Sequence, residues 1–102
     1  MKKIVLLCAA GMSTSLLVTK MQKAALEEGL ECDINAYSIA QAKEVGADAD
    51  IILLGPQVRY AQRKIEAEAP GVPVAHIDMK DYGMMNGKSV LKQALELIQT
   101  KK

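Results

Sequence analysis

The chain has 102 residues, half of them hydrophobic, and its 13 Lys and Arg nearly balance 12 Asp and Glu for a formal net charge of +1. That length suits a single domain, taken as residues 1–102, which can bury a core without disulfide or metal staples. With no Trp, no Phe and three Tyr, the core must be aliphatic, and the charge balance argues against a nucleic-acid binder, which usually shows a basic excess on one face.

Lys2 and Lys3 precede an apolar run, but it lasts only from Ile4 to Ala10 and passes into Gly11 and Ser13 without a strong cleavage pattern. No stretch approaches the ~20 apolar residues of a membrane-spanning helix. A cytoplasmic protein with reduced thiols and no direct membrane insertion is expected.

Lys3 to Leu7 (KIVLL) is a fully apolar run of strand length, as a strand covered on both faces requires. From Thr14 to Glu28, Leu16, Leu17, Met21, Ala24 and Ala25 recur at helical spacing, and Gly29 stands where a C-cap glycine belongs. Glu31 to Tyr37 (ECDINAY) alternates with one wetter face, so it is placed at a sheet edge. Ser38 and Gln41 form a capping box for a short helix ending near Gly46.

Asp50 to Leu54 (DIILL) is a second buried strand, ended by Gly55-Pro56. Val58, Ala61 and Ile65 mark a third helix, closed by Pro70-Gly71. Val72 to Ile77 (VPVAHI) is the fourth strand, and a last helix from about Gly87 carries Val90, Leu91, Ala94, Leu95 and Ile98 on one face. Strands alternating with helices predict an α/β fold: a four-stranded parallel sheet flanked by helices on both faces. With ECDINAY at an edge, right-handed crossovers favour the flavodoxin-like order 2-1-3-4. Ligand chemistry then belongs at the carboxyl ends of the strands, where the loops 8–14, 55–60 and 78–86 meet.

Cys8 follows the first strand and Cys32 opens the second, so in a parallel pair they lie at opposite ends, on the order of 16 Å apart. A disulfide needs Cα atoms within about 7 Å. Cys32 reads as a small strand residue. Cys8 is either a packed, inert thiol or a nucleophile, and the loop after it favours the second. Ala9, Ala10 and Gly11 leave the backbone open, while Ser13, Thr14 and Ser15 offer N-cap hydroxyls. A helix start behind a thiol lowers its pKa and presents orphan N–H groups to a phosphoryl group.

Other signals are weaker. Gly83-Met84-Met85-Asn86-Gly87-Lys88-Ser89 has three residues between its glycines where a nucleotide-binding P-loop needs four, and is read as a loop and a helix start. Without Gly-x-Gly-x-x-Gly and without metal-ligand spacing, no cofactor and no metal are expected. His76 is the only histidine and reads as a structural strand residue. Gln57, Arg59, Tyr60 and Tyr82 are either ordinary loop surface or a rim around the Cys8 loop.

A Cys followed by a backbone cradle suggests the Cys-x5-Arg loop of low-molecular-weight tyrosine phosphatases, yet Thr14 occupies the arginine position. Without that guanidinium the transition state loses bidentate charge stabilisation, so a phosphocysteine should persist, as a carrier requires. A thiol redox protein would need a second cysteine near Cys8. A non-catalytic domain of the same fold would not need the nucleophile.

"KIVLLCAAGMSTSLLV", with "DIILLGPQVRY" and "YGMMNG", resembles the enzyme IIB component of the lactose/chitobiose/cellobiose branch of the bacterial sugar phosphotransferase system, over essentially the whole chain. The resemblance implies a phosphocysteine at Cys8, a phosphohistidine donor on enzyme IIA, and delivery to a disaccharide held by the membrane component, enzyme IIC. Phosphate binding is expected from Ala9, Ala10, Gly11, Met12, Ser13, Thr14 and Ser15, with a flat, accessible mouth at Cys8 and with Met12 as an adaptable partner contact.

Overall fold

The computed structural model describes residues 2–8 and 12–101, with the side chains of 12–14 and 99–101 left aside. Strand β1 (Lys2–Cys8) leads to helix α1 (Met12–Glu27), strand β2 (Cys32–Ser38), a 3-10 turn (Ile39–Gln41) and the short helix α2 (Ala42–Gly46). Strand β3 (Ile51–Leu54), a 3-10 segment (Pro56–Ala61) and α3 (Gln62–Glu68) follow, then β4 (Val74–His76), α4 (Met79–Gly83) and α5 (Gly87–Lys101). All strand pairs are parallel and the order is β2-β1-β3-β4. The expected α/β topology is therefore observed.

The alternation of side chains along β1 and β3 builds two cores. Ile4, Leu6, Ile51 and Leu53 pack against Leu17 and Met21 of α1 and Val90, Leu91 and Ala94 of α5. Val5, Leu7, Ile52 and Leu54 point the other way, against Ala42, Val58, Ala61 and Ile65. Every residue of β3 is buried, each such aliphatic side chain contributing about 1.5–3 kcal/mol relative to exposure. The continuous apolar runs thus mark the two central strands. In β2 only Ile34 is buried, as an edge position dictates.

The capping box forms as expected, with the Ser38 hydroxyl accepting from the Ala40 N–H and the Gln41 amide oxygen accepting from the Ser38 N–H. It opens the 3-10 turn that runs on into α2. Gly29 closes α1 at φ +69°. Its N–H donates to the Leu26 carbonyl and the Leu30 N–H to that of Ala25, the paired bonds of a Schellman cap.

Three boundaries differ from the sequence expectation. Helix α1 begins at Met12, two residues earlier than Thr14. Strand β4 is shorter than Val72–Ile77, because Pro73 has no N–H to give and joins the ladder only through its carbonyl, which accepts from Ile52 N–H at 2.9 Å. Residues 78–86, expected as open loop, contain α4. Asp78 caps it by accepting from the Lys80 N–H at 3.1 Å, and a second Schellman pair, Asn86 N–H to Asp81 and Met85 N–H to Tyr82, ends it. Tyr82 is consequently buried in the α1/α5-side core and belongs neither to loop surface nor to a rim. Asn86 then caps α5, its side-chain oxygen accepting from the Ser89 N–H.

Candidate functional site

Cys8 is the last paired residue of β1, opposite Ser38 of β2. Alternation puts its side chain on the same face as Ile4 and Leu6, beneath α1. On its other side the ladder pairs Leu7 with Leu54, which makes Gly55 the next position, and the Gly55 N–H donates to the Leu7 carbonyl at 2.9 Å. The crossover from β1 runs outward to β2 and that from β3 outward to β4, so Cys8 and Gly55 flank the topological switch point, where clefts open at the carboxyl edge of such sheets. A β-carbon on Gly55 would stand 3.6 Å from the Cys8 Cβ. That is an ordinary contact distance, so the missing side chain leaves open space beside the cysteine rather than relieving a clash with it.

Helix α1 starts four positions after Cys8, so its first-turn N–H groups and positive dipole end lie at the strand end that carries the thiol. Among the expected phosphate-loop residues, Ala9, Ala10 and Gly11 lie outside the described residues. Met12, Ser13 and Thr14 are described as helical backbone alone, and Ser15 is exposed in the first turn. Leu16 beside it is 51% exposed.

The expectation of an open, flat mouth at Cys8 needs correction: the residue is only 3% exposed. As a paired strand residue between Ser38 and Gly55, it is packed within the sheet edge rather than standing first in a loop.

Past Gly55, Pro56 starts the 3-10 segment, and Val58 breaks its regularity at φ −119°, ψ 18° while anchoring it in the core. Gln57, Arg59 and Tyr60 are thereby turned outward, Tyr60 to 77% exposure. Gln57 folds back toward Gly55, with its Oε1 3.0 Å from where a Gly55 β-carbon would be. The structure thus joins Cys8, Gly55 and Gln57. In the sequence Gly55-Pro56 ends the third strand and opens the loop 55–60 expected at the switch point, and a glycine directly after a central strand, level with a cysteine in the next strand, carries the further signal that space is left beside that cysteine.

His76 is not part of this arrangement. Its strand neighbour Val74 packs on the α2/α3 side and Ala75 on the other, so His76 faces away from the Cys8 side, two strands from it in the order β1-β3-β4. It is exposed, with Nδ1 3.5 Å from Gln62 Oε1. An open cavity of about 540 Å³ lies here instead, along the free edge of β4, lined among others by Arg59, Gln62, His76, Asp78 and Gln93.

Cys32 heads β2 and pairs with Lys2, while Cys8 pairs with Ser38 six residues further along. That offset is about 20 Å at the strand rise, and no disulfide joins the two cysteines. Burial pushes the Cys32 thiol up, against the smaller opposing pull of Lys2 and the N-terminal ammonium. Among the described residues no cluster of His, Cys, Asp or Glu could hold a metal ion, and no helix is long and apolar enough to cross a membrane.

With this geometry in place, residues 3–93 match the family "PTS system, Lactose/Cellobiose specific IIB subunit". The chain is 49% identical to the galactose-specific EIIB component of Lactococcus lactis subsp. cremoris, covering 95% of this chain and 96% of the relative. It is 46% identical to the oligo-beta-mannoside-specific EIIB component of Bacillus subtilis, covering 96% and 97%. The cellobiose-specific phosphotransferase IIB component of Borrelia burgdorferi superimposes with a TM-score of 0.83 at 36% identity, over 99% of this chain and 94% of that one. The lactose-specific IIB domain of Streptococcus pneumoniae, 23% identical, shares the fold with a TM-score of 0.82 over 94% and 96%.

Proposed function

This chain belongs to the lactose/cellobiose-specific IIB family of the sugar phosphotransferase system, and we propose that in it Cys8 is the phosphoryl carrier between enzyme IIA and a disaccharide of the cellobiose, chitobiose or lactose class bound by enzyme IIC. The observation that carries this reading is the placement of Cys8 at the carboxyl end of a central strand, at the switch point, with the start of α1 four residues behind it.

In the first transfer the Cys8 sulfur attacks the phosphorus of a phosphohistidine in line with the scissile P–N bond. The S–P bond forms and the P–N bond breaks. Its electron pair goes to the imidazole nitrogen, and the thiol proton ends on the ring, so that histidine departs neutral. Backbone N–H groups from Ala10 to Ser15, with the hydroxyls of Ser13 or Thr14, hold the phosphoryl oxygens, since orphan donors at a helix start favour an anion. In the second transfer a sugar hydroxyl attacks the same phosphorus. The S–P bond breaks, its electron pair returns to sulfur, and the hydroxyl proton restores the thiol. Thr14 standing in place of an arginine favours a phosphocysteine that lasts until its acceptor docks.

The test is a mass spectrum taken after incubation with phosphoenolpyruvate, the general phosphotransferase proteins and a lactose/cellobiose-type enzyme IIA. One phosphoryl group on Cys8, absent from Cys8→Ser, supports the carrier. Label retained in Cys8→Ser, or found on His76, overturns it.

A further inference from the structure

Among the described residues, most glutamine side chains are tied to backbone. Gln22 Nε2 donates to the Ile34 carbonyl at 2.9 Å, Gln62 Nε2 to that of Val74 at 3.0 Å and Gln93 Nε2 to that of His76 at 3.4 Å, while Gln41 Oε1 accepts from the Ser38 N–H. Among the described glutamine side chains, only that of Gln57 has no hydrogen-bond partner. It is nevertheless folded over Gly55, the cross-strand neighbour of Cys8, with Oε1 3.0 Å from the missing β-carbon. Pro56 and the buried Val58 on either side fix the backbone that carries it.

Alternation places the open side of Gly55 and the Cys8 side chain on the same face of the sheet, so the space left by the missing β-carbon adjoins the thiol. An amide has a donor and an acceptor end of nearly equal size, and half a turn about χ3 exchanges them. Nε2 then occupies the position of Oε1.

We propose that Gln57 is a phosphoryl-contacting residue whose Nε2–H donates to the oxygens of the group on Cys8. This rests on the reading of Cys8 as phosphoryl acceptor and adds a donor outside the α1 loop, from the β3 side of the site. The amide is neutral. It gives the phosphoryl group orientation and a charge-assisted hydrogen bond without the bidentate ionic grip of an arginine, which keeps both onward and reverse transfer open.

The experiment compares wild type with Gln57→Leu and Gln57→Glu, using enzyme IIA phosphorylated from phosphoenolpyruvate. It reads the single-turnover transfer rate, the partition of label between the two proteins at equilibrium, and the KM for phospho-IIA. Loss of a hydrogen bond to a charged group corresponds to roughly tenfold or more. Gln57→Leu should therefore lower both the rate and the share of label on this chain roughly tenfold or more with KM unchanged. Gln57→Glu, of the same shape but anionic, should lose more than Gln57→Leu, an ordering that a packing role would not produce. Wild-type partition and rate in both variants would overturn the proposal. Wild type that takes no label would instead overturn the underlying reading of Cys8.

Discussion

Gly55 and Cys8 are neighbours across the β1–β3 ladder, so close that a β-carbon on the glycine would stand 3.6 Å from the cysteine's own and 3.0 Å from the Gln57 amide oxygen. The backbone of Gly55, φ −61° and ψ 153°, is one that alanine adopts freely. Gly55→Ala should therefore leave unfolding stability within about 1 kcal/mol of wild type. Its methyl group displaces Gln57 and crowds the phosphoryl space, so transfer from phospho-IIA should slow roughly tenfold. Chemical denaturation beside single-turnover labelling checks the pair, and an equal loss in both would mean the methyl disturbs the fold instead.

Gly87 shows why a nucleotide-loop reading of "GMMNGKS" fails physically. A β-carbon there would lie 2.5 Å from the Lys20 carbonyl carbon and 2.6 Å from the Met21 nitrogen, both backbone of α1. The glycine exists to let α5 cross α1 closely. Gly87→Ala must push the helices apart and is expected to cost about 1–3 kcal/mol. The urea midpoint should fall with an unchanged m-value, and ATP should restore none of the loss.

How far the molecule could be read from its residues follows from what each signal depends on. KIVLL and DIILL announce central strands because burial on both faces leaves no polar position, and the strand order follows. Helix α4 was not legible: five residues are too few to show a 3.6-residue period, so Tyr82 passed for loop. The position of Cys8 was legible but its burial was not, because burial is set by the elements the fold brings around a residue and not by its neighbours in sequence. The approach of Gln57 depends on the kink at Val58, which no local pattern encodes.

Cys32 provides a pH prediction. Burial favours its neutral thiol and raises its pKa in the folded chain, so the folded state holds that proton more tightly than the unfolded one. The associated stability is complete below the ordinary thiol range and is lost as pH rises through it toward the raised folded value. Cys32→Ala should flatten the alkaline decline in the denaturation midpoint. It should leave labelling of Cys8 intact, since Cys32 sits at the far end of the β1–β2 ladder. In wild type, alkylation of Cys32 followed by mass spectrometry should rise at higher pH than that of a free thiol. A midpoint at or below the free-thiol value would contradict the burial argument.

The outer edge of β4 supplies the last prediction. Residues 74 and 76 turn their carbonyls away from β3, because Pro73 and Ile77 make the bonds that face it. An exposed edge of this kind is a template for another strand. Here the Gln62 amide covers the Val74 carbonyl and the Gln93 amide that of His76, reaching across from α3 on one side and α5 on the other. Each bond is worth about 1 kcal/mol, so the pair adds little to the fold, and its main effect is to occupy acceptors that a second chain could use. The double variant Gln62→Ala, Gln93→Ala should lose no more than about 2 kcal/mol of stability yet self-associate as concentration rises. Sedimentation across a concentration series reads this directly. If the double variant sediments as wild type at every concentration, the shortness of the three-residue strand is protection enough, and the glutamines serve packing alone.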